Sequence, residues 1–348
     1  MIVSFVCPSA RQPMGGVTAQ YEFANGLRRL GHDVHIAHGA FWGRPGIRSL
    51  DEVPWFRFEP GIHHHFGDGE IPLPPADVIF GTGAPPELGL PVVLVQGLDM
   101  FPPAMEQAVF RTPCLKVCVA SWLVEAGRRH GCPAEQLVHV PMGIDHDRFR
   151  PSRPAGSRDV HVAMLYNDHQ AKGWVPGMRA LELVKALVPD LRAVVFGTKR
   201  PPERLPDWIT FELDPSPEAL VQDVYGRCQV FLQPSYYEGF GFTALEAMAC
   251  GAALVTTDNG GSRDYATDGV TALVVPPGDP GAMALGIEAL LLDPDRRESI
   301  ARAGEQRSRG FDWATAAQQL ERHLVAYVAD PDAYRRPPRP LPVPAADR

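Results

Sequence analysis

Short apolar runs alternate with stretches of helical periodicity along almost the whole chain. In the first 150 residues this pattern predicts strands at 2–6, 33–37, 77–80, 92–96, 116–120 and 137–140. Met14-Gly15-Gly16-Val17 opens a helix that runs to Leu30 and stops at Gly31, and a second helix covers 122–130 with Gly131 closing it. Residues 39–75 are rich in glycine, proline and aromatic side chains and predict little regular structure. Residues 141–154 carry Gly143, Pro151, Pro154 and several charges, and read as a linker. The alternation then restarts. Strands are predicted at 160–166, 193–196, 209–213, 230–233, 253–256 and 272–275, and helices at 175–187, 218–225, from Thr243 to Gly251, 280–291, 295–307 and 313–328. Strands alternating with helices imply parallel sheets covered on both faces. The expected fold class is α/β, with one domain over 1–150, a second over 151–310, an amphipathic helix within 311–330 and a disordered tail over 331–348, rich in proline and arginine.

Composition narrows the function classes. A net charge of −8 argues against a nucleic-acid partner and against a polybasic membrane surface. No apolar run approaches the ~20 residues of a membrane span, so at most a peripheral membrane contact is expected. The apolar N-terminus lacks the basic lead of a signal peptide and reads as a first strand. The cysteines, Cys7, Cys114, Cys118, Cys132, Cys228 and Cys250, are scattered without zinc spacing and suit buried thiols in a reducing cytoplasm.

The densest chemistry lies between Pro234 and Gly251. The apolar strand Val230-Phe231-Leu232 leads into Glu238-Gly239-Phe240-Gly241, and a helix follows. A strand, a glycine turn and a helix start together aim backbone N–H groups and a positive helix end at one spot, which suits a phosphate. Glu238 on the turn and Glu246 in the helix would repel a phosphate but accept hydrogen bonds from sugar hydroxyls. Phosphate and hydroxyls held side by side describe a nucleotide-sugar site.

The seven residues between Glu238 and Glu246, with Tyr-Glu-Gly-Phe-Gly before and Glu-Ala-Met-Ala-Cys-Gly after, resemble the E-x7-E signature of glycosyltransferase family 4. Asp258-Asn259-Gly260-Gly261-Ser262-Arg263-Asp264 and Leu273-Val274-Val275-Pro276-Pro277-Gly278-Asp279 are similar to that family too, and the likeness covers nearly the whole chain, most clearly 225–327. The resemblance implies the GT-B architecture, two Rossmann-like parallel-sheet domains facing across a cleft, with the terminal helix crossing back to the first. It also implies transfer of a sugar from a nucleotide-diphosphate sugar to an acceptor hydroxyl, with retention of configuration and without a metal or other cofactor. Glu238 would then hold donor-sugar hydroxyls and Glu246 the ribose. The turn residues Gly239, Phe240, Gly241 and Phe242 would line the donor, Phe240 and Gly241 through their main-chain N–H groups. Gly15 and Gly16 would face the donor phosphates, and Lys172, in Lys172-Gly173, the diphosphate. With Glu238, Lys172 is the expected catalytic residue.

Two departures stand out. Asn167 occupies the place where the family usually has an arginine, so Lys199 or Arg200 would have to supply a second cation. Gln96 stands near a place where many members have a histidine; with Asp99 it is expected on the acceptor side, where it can hydrogen-bond but cannot act as a base. Two metal-like patterns are read as non-functional. Asp145-His146-Asp147 falls in the linker, and His63-His64-His65 in an irregular loop without a carboxylate companion. A nucleotide-sugar epimerase or hydrolase on the same fold and a non-catalytic nucleotide-sugar-binding subunit stay open. So does an NAD-dependent oxidoreductase, against which the missing G-x-G-x-x-G counts.

Overall fold

A computed structural model of the chain describes residues 1–8, 10–40, 45–67, 71–81, 86–98 and 103–335. The strands β1 (Ile2–Pro8), β2 (Asp33–Gly39), β3 (His63–Phe66), β4 (Val78–Phe80), β5 (Leu90–Val95), β6 (Leu115–Cys118) and β7 (Leu137–His139) form one sheet in the order β3-β2-β1-β4-β5-β6-β7. Every neighbouring pair in it is parallel. The strands β8 (Val160–Leu165), β9 (Ala193–Gly197), β10 (Ile209–Leu213), β11 (Cys228–Gln233), β12 (Ala253–Thr257) and β13 (Leu273–Val275) form a second parallel sheet, β10-β9-β8-β11-β12-β13. Each sheet reverses its strand order once, at β1/β4 and at β8/β11. Such reversals leave a crevice at the carboxyl ends of the strands where ligands of open α/β sheets bind.

The helices are α1 (Gly15–Arg29), α2 (Pro103–Arg111), α3 (Ser121–Arg129), α4 (Trp174–Leu187), α5 (Pro217–Ala219), α6 (Phe242–Ala249), α7 (Pro280–Leu292), α8 (Pro294–Ser308) and α9 (Trp313–Ala329). The chain divides into two compact units, one running to Gly143 and resuming at Trp313, the other Ile144–Asp312. Within the second unit the Ile144 N–H donates to the Phe311 carbonyl at 3.0 Å. In the first unit α9 packs on α1, with Phe23 edge-on to Trp313 and His32 Nε2 2.9 Å from Glu321 Oε1. Gly26 permits the close helix crossing, since a β-carbon there would collide with that of Ala317. In the second unit Val162, Met164, Val230, Leu232 and Val255 are fully buried against Leu181, Val184 and Ile287 of the covering helices.

Three sequence expectations change. The helix predicted over 218–225 is a single α turn, α5, continued by a π-helical turn over Leu220–Tyr225, with Gly226 N–H reaching back to the Val221 carbonyl. The tail does not begin at 331: Pro331–Tyr334 forms a short 3-10 turn. Gln136 Nε2 donates to the Tyr334 carbonyl at 2.7 Å, and Tyr334 packs on Tyr327 at 4.7 Å. Gln136 is itself a partner of Lys116, a fully buried lysine whose ammonium donates to it and to the Thr112 and Cys114 carbonyls. The rest of the predicted tail, from 336, lies outside the described residues.

The third change concerns His63-His64-His65. It is the edge strand β3, paired with β2 in the register His35↔His63, Ile36↔His64, Ala37↔His65. Three consecutive histidines have no apolar alternation, so only the pairing with β2 reveals the strand. His38 and His64 meet at 2.9 Å, and burial pushes their pKa values down to about 3 and about 4. All six cysteines are buried and unpaired; burial pushes the Cys114 thiol up to about 11 and Cys118 to about 12, which leaves them protonated and unreactive. Among the described residues no helix is long and apolar enough to cross a membrane.

Candidate active site

Two loops at the β8/β11 reversal bring Lys172 and Glu238 together. After β8, Asn167 Oδ1 accepts from the His169 N–H at 2.9 Å and His169 Nδ1 accepts from the Ala171 N–H at 3.2 Å, so side chains fold the loop onto itself. This gives Asn167 a role of its own as a turn-former. Gly173 ends the loop with φ +69, and a β-carbon there would strike the Pro234 carbonyl. Only glycine takes that conformation freely and permits that approach. The Tyr236 N–H also donates to the Ala171 carbonyl at 2.7 Å, so the loop after β8 is fastened to the turn after β11.

The result is a contact between Lys172 and Glu238. Lys172 Nζ lies 2.9 Å from Oε1 and 2.8 Å from Oε2 of Glu238, whose side chain is only 7% exposed. Gln233 Nε2 and Ser235 Oγ each donate to Oε1 at 2.7 Å, and Thr243 Oγ1 donates to Gln233 Oε1 at 3.0 Å. The Glu238 main chain is pinned on both sides, its N–H to the Asn259 carbonyl at 2.9 Å and its carbonyl to the Gly261 N–H at 3.1 Å. Oε1 therefore takes three donors, while Oε2 receives Lys172 alone among the described residues and has lone-pair capacity for a further donor.

The turn then enters α6. Gly241 has φ +96 and precedes the helix without a side-chain cap. A β-carbon there would collide with the Tyr265 hydroxyl, which donates to the Gly241 carbonyl at 3.2 Å. Phe240 is 1% exposed, its ring edge-on to Phe242, Tyr265 and Phe311. Its side chain is thus a packing element that fixes the turn.

Glu246 points inward from α6. The residue keeps some surface, but its carboxyl sits deep: Oε2 accepts from the Tyr225 hydroxyl at 2.9 Å, and burial pushes the pKa up to about 7, against the pull of that bond and of Arg148. Tyr225 ends the π-helical turn. The turn is held by Arg158, whose Nη1 donates to the Tyr225 and Cys228 carbonyls at 2.7 Å each, and whose Nη2 donates to the Cys250 carbonyl at 2.6 Å. One buried guanidinium thus ties the end of the π turn, the start of β11 and the end of α6, and burial lowers its pKa.

Gln233, Ser235, Thr243, Tyr225 and Arg158 were not singled out from the sequence. Ser235, three residues before Glu238 in a turn, could have been found by its spacing; Tyr225 and Arg158 act across the fold and leave no local pattern. Lys199 is exposed and paired with Asp168 at 2.7 Å, while Arg200 lies over the Phe211 ring at 5.3 Å. Neither contact belongs to the Lys172–Glu238 cluster. In the first unit Gly15 begins α1, and Gln96 follows β5. A β-carbon on Gly16 would lie 3.2 Å from Gln96 Oε1, which is buried and has no hydrogen-bond partner among the described residues. Two predicted residues far apart in sequence therefore meet at an uncapped helix start. Asp99 lies outside the described residues. Asp145 caps a turn, accepting from the Asp147 and Arg148 N–H groups at 3.0 and 3.2 Å, and His146 Nε2 lies 3.1 Å from the Phe311 carbonyl.

Residues 169–307, which hold Lys172, the Glu238 turn and α6, match the family Glycosyl transferases group 1. The chain carries a Glycosyl transferases group 1 domain. It is 38% identical over 121 residues to the D-inositol 3-phosphate glycosyltransferase of Kribbella flavida, covering 35% of this chain and 28% of that protein. The enzyme of that name from Frankia alni is 30% identical over 213 residues, 53% of this chain and 51% of the relative. The chain thus spans about half the length, or less, of these curated relatives. Two solved structures share the fold over 94% of this chain. Sucrose-phosphate synthase from Thermosynechococcus elongatus has a TM-score of 0.72, 19% identity and 99% coverage of its own chain. Anabaena HepE in complex with UDP-glucose has a TM-score of 0.69, 17% identity and 100% coverage. The fold is of the GT-B kind, two Rossmann-like units with parallel sheets.

Proposed function

We propose that the chain is a metal-independent, retaining glycosyltransferase of family 4, acting in the cytoplasm. It moves a sugar from a nucleotide-diphosphate sugar to the hydroxyl of a carbohydrate, lipid-linked glycan or small metabolite. The observation that carries this reading is the Lys172–Glu238 pair, set beside a glycine turn at a helix start. Glu238 Oε2 accepts a hydroxyl of the donor sugar, Glu246 the ribose hydroxyls, and the α6 start with Lys172 faces the diphosphate. The acceptor hydroxyl attacks on the face from which the diphosphate departs, and a leaving phosphate oxygen takes its proton. That route asks the protein for positioning and charge stabilisation, not for a strong base, which fits Gln96 where a histidine is common. The negative net charge supports a role without nucleic acid.

Thermal-shift screening against nucleotide sugars, UDP-glucose among them, tests the reading. The matching donor is expected to raise the Tm, by linkage of binding to folding. Product anomer, read by NMR, then tests retention. Donor consumption without any acceptor would favour the epimerase or hydrolase; tight donor binding without turnover, even with acceptor, would favour a binding subunit.

Glu246 gives the reading a pH signature. Its folded pKa of about 7 lies above its ordinary 4.5, so its contribution to stability is full below about 4.5 and is lost as pH rises through 7. Ribose hydroxyls favour the ionised carboxylate, so donor affinity should move the other way. Between pH 6 and pH 8 the affinity for a nucleotide sugar should rise about tenfold, and Glu246→Gln should flatten the profile. A flat wild-type profile by calorimetry would remove Glu246 from the ribose.

A further inference from the structure

The first sheet holds a second constellation that the reaction does not use. At the amino-terminal ends of β2 and β3, Asp33, His35 and His63 place one carboxylate and two imidazoles so that their ligand atoms all lie within 4.8 Å of one another. Asp33 Oδ1 is 3.2 Å from His63 Nε2, and Asp33 Oδ2 is 3.6 Å from His35 Nε2. The two imidazoles come from paired residues of neighbouring parallel strands and stack at 4.6 Å, 19° from parallel. The missing carboxylate companion of His63 is therefore supplied by β2, across the ladder.

We infer that Asp33, His35 and His63 bind a divalent transition metal ion of the zinc class. Metal bonds of about 2.0–2.1 Å at a tetrahedral angle put neighbouring ligand atoms about 3.3 Å apart, close to the two separations seen here, so small side-chain rotations complete the site. His65 Nε2 lies 3.0 Å from His35 Nδ1. With Nε2 of His35 bare for the metal, its Nδ1 carries the proton and donates to His65, the outer hydrogen bond that orients a metal-binding imidazole. Two imidazoles and one carboxylate suit zinc, nickel, cobalt or copper better than magnesium or calcium. The side chains of Asp33 and His63 are 48% and 58% exposed, which lets the ion enter and leaves water as a further ligand. The site lies at the opposite end of the sheet from Gly16 and Gln96, a seven-residue strand or about 20 Å away. Its effect is to clip the edge strand β3 onto β2, not to take part in glycosyl transfer.

The test uses the full chain, stripped with a chelator and titrated with zinc by calorimetry, with cobalt as a coloured probe. One equivalent of zinc should bind and raise the Tm, and cobalt should give visible bands of a low-coordinate site. Asp33→Asn and His63→Ala should each weaken zinc binding by at least about tenfold and abolish the gain in Tm. Their metal-free Tm should stay near wild type because both side chains are exposed. The double variant D145N/D147N should bind as wild type. No binding at stoichiometric zinc, binding that survives in both Asp33→Asn and His63→Ala, or binding lost in D145N/D147N would each overturn the assignment.

Discussion

Lys172→Ala should lower kcat by about 10²–10³-fold while changing donor affinity far less, because it removes a cation needed most when negative charge grows on the departing diphosphate. The geometry says why this lysine matters more than the other nearby cations. Lys199 is exposed and engaged with Asp168, and Arg200 rests on Phe211. Lys172 is held by the folded loop and by Gly173 at Glu238, the carboxylate proposed to face the donor sugar. Its ammonium is shared between both oxygens of Glu238, and in the proposed complex a donor phosphate would compete for the same charge. Lys172→Arg keeps the charge but not its compact point geometry, and should recover only part of the rate. Single-turnover kinetics with a calorimetric Kd separate the two effects. A wild-type kcat in Lys172→Ala would end this assignment.

The second large effect is on stability. Arg158→Ala removes three hydrogen bonds from a buried guanidinium to the carbonyls of Tyr225, Cys228 and Cys250, and leaves those carbonyls short of donors. Hydrogen bonds to charged groups contribute about 1.5–3 kcal/mol each, but three from one side chain do not add, and the cost of burying the charge is recovered. We expect a net loss of about 3 kcal/mol, or about 6–12 °C in Tm for a unit of this size. Donor affinity should fall too, because the π-helical turn that Arg158 ties down carries the Tyr225 hydroxyl to Glu246. Tyr225→Phe serves as the control: it should alter the pH profile of donor binding with a much smaller change in Tm. An unchanged Tm in Arg158→Ala would show that backbone packing alone holds the turn.

What could be read from the sequence follows from what is local. Strand β11, the Glu238–Gly241 turn and the helix after it lie within one short stretch, so spacing and glycine chemistry announced them together. The alternation of apolar runs likewise announced two parallel sheets. Elements whose identity rests on partners were harder to read. Nothing in His63-His64-His65 marks a strand, and 218–225 carries an ordinary helical pattern although the chain takes a π turn there. The positions 331–334 look like tail by composition, yet Gln136 and Tyr327 hold them.

By itself, then, the sequence determined the α/β class and the strand–glycine turn–helix order around Glu238 and Glu246, and a family resemblance pointed to Lys172. The first two depend on residue types at short spacing, which a chain carries whatever its fold. Only the tertiary structure decided who meets whom. It brought Lys172 to Glu238, Gly16 to Gln96, Tyr225 to Glu246, Arg158 to three carbonyls and Asp33 to His63. Each of those meetings joins segments far apart along the chain, and parallel strand order, not local propensity, sets which segments become neighbours.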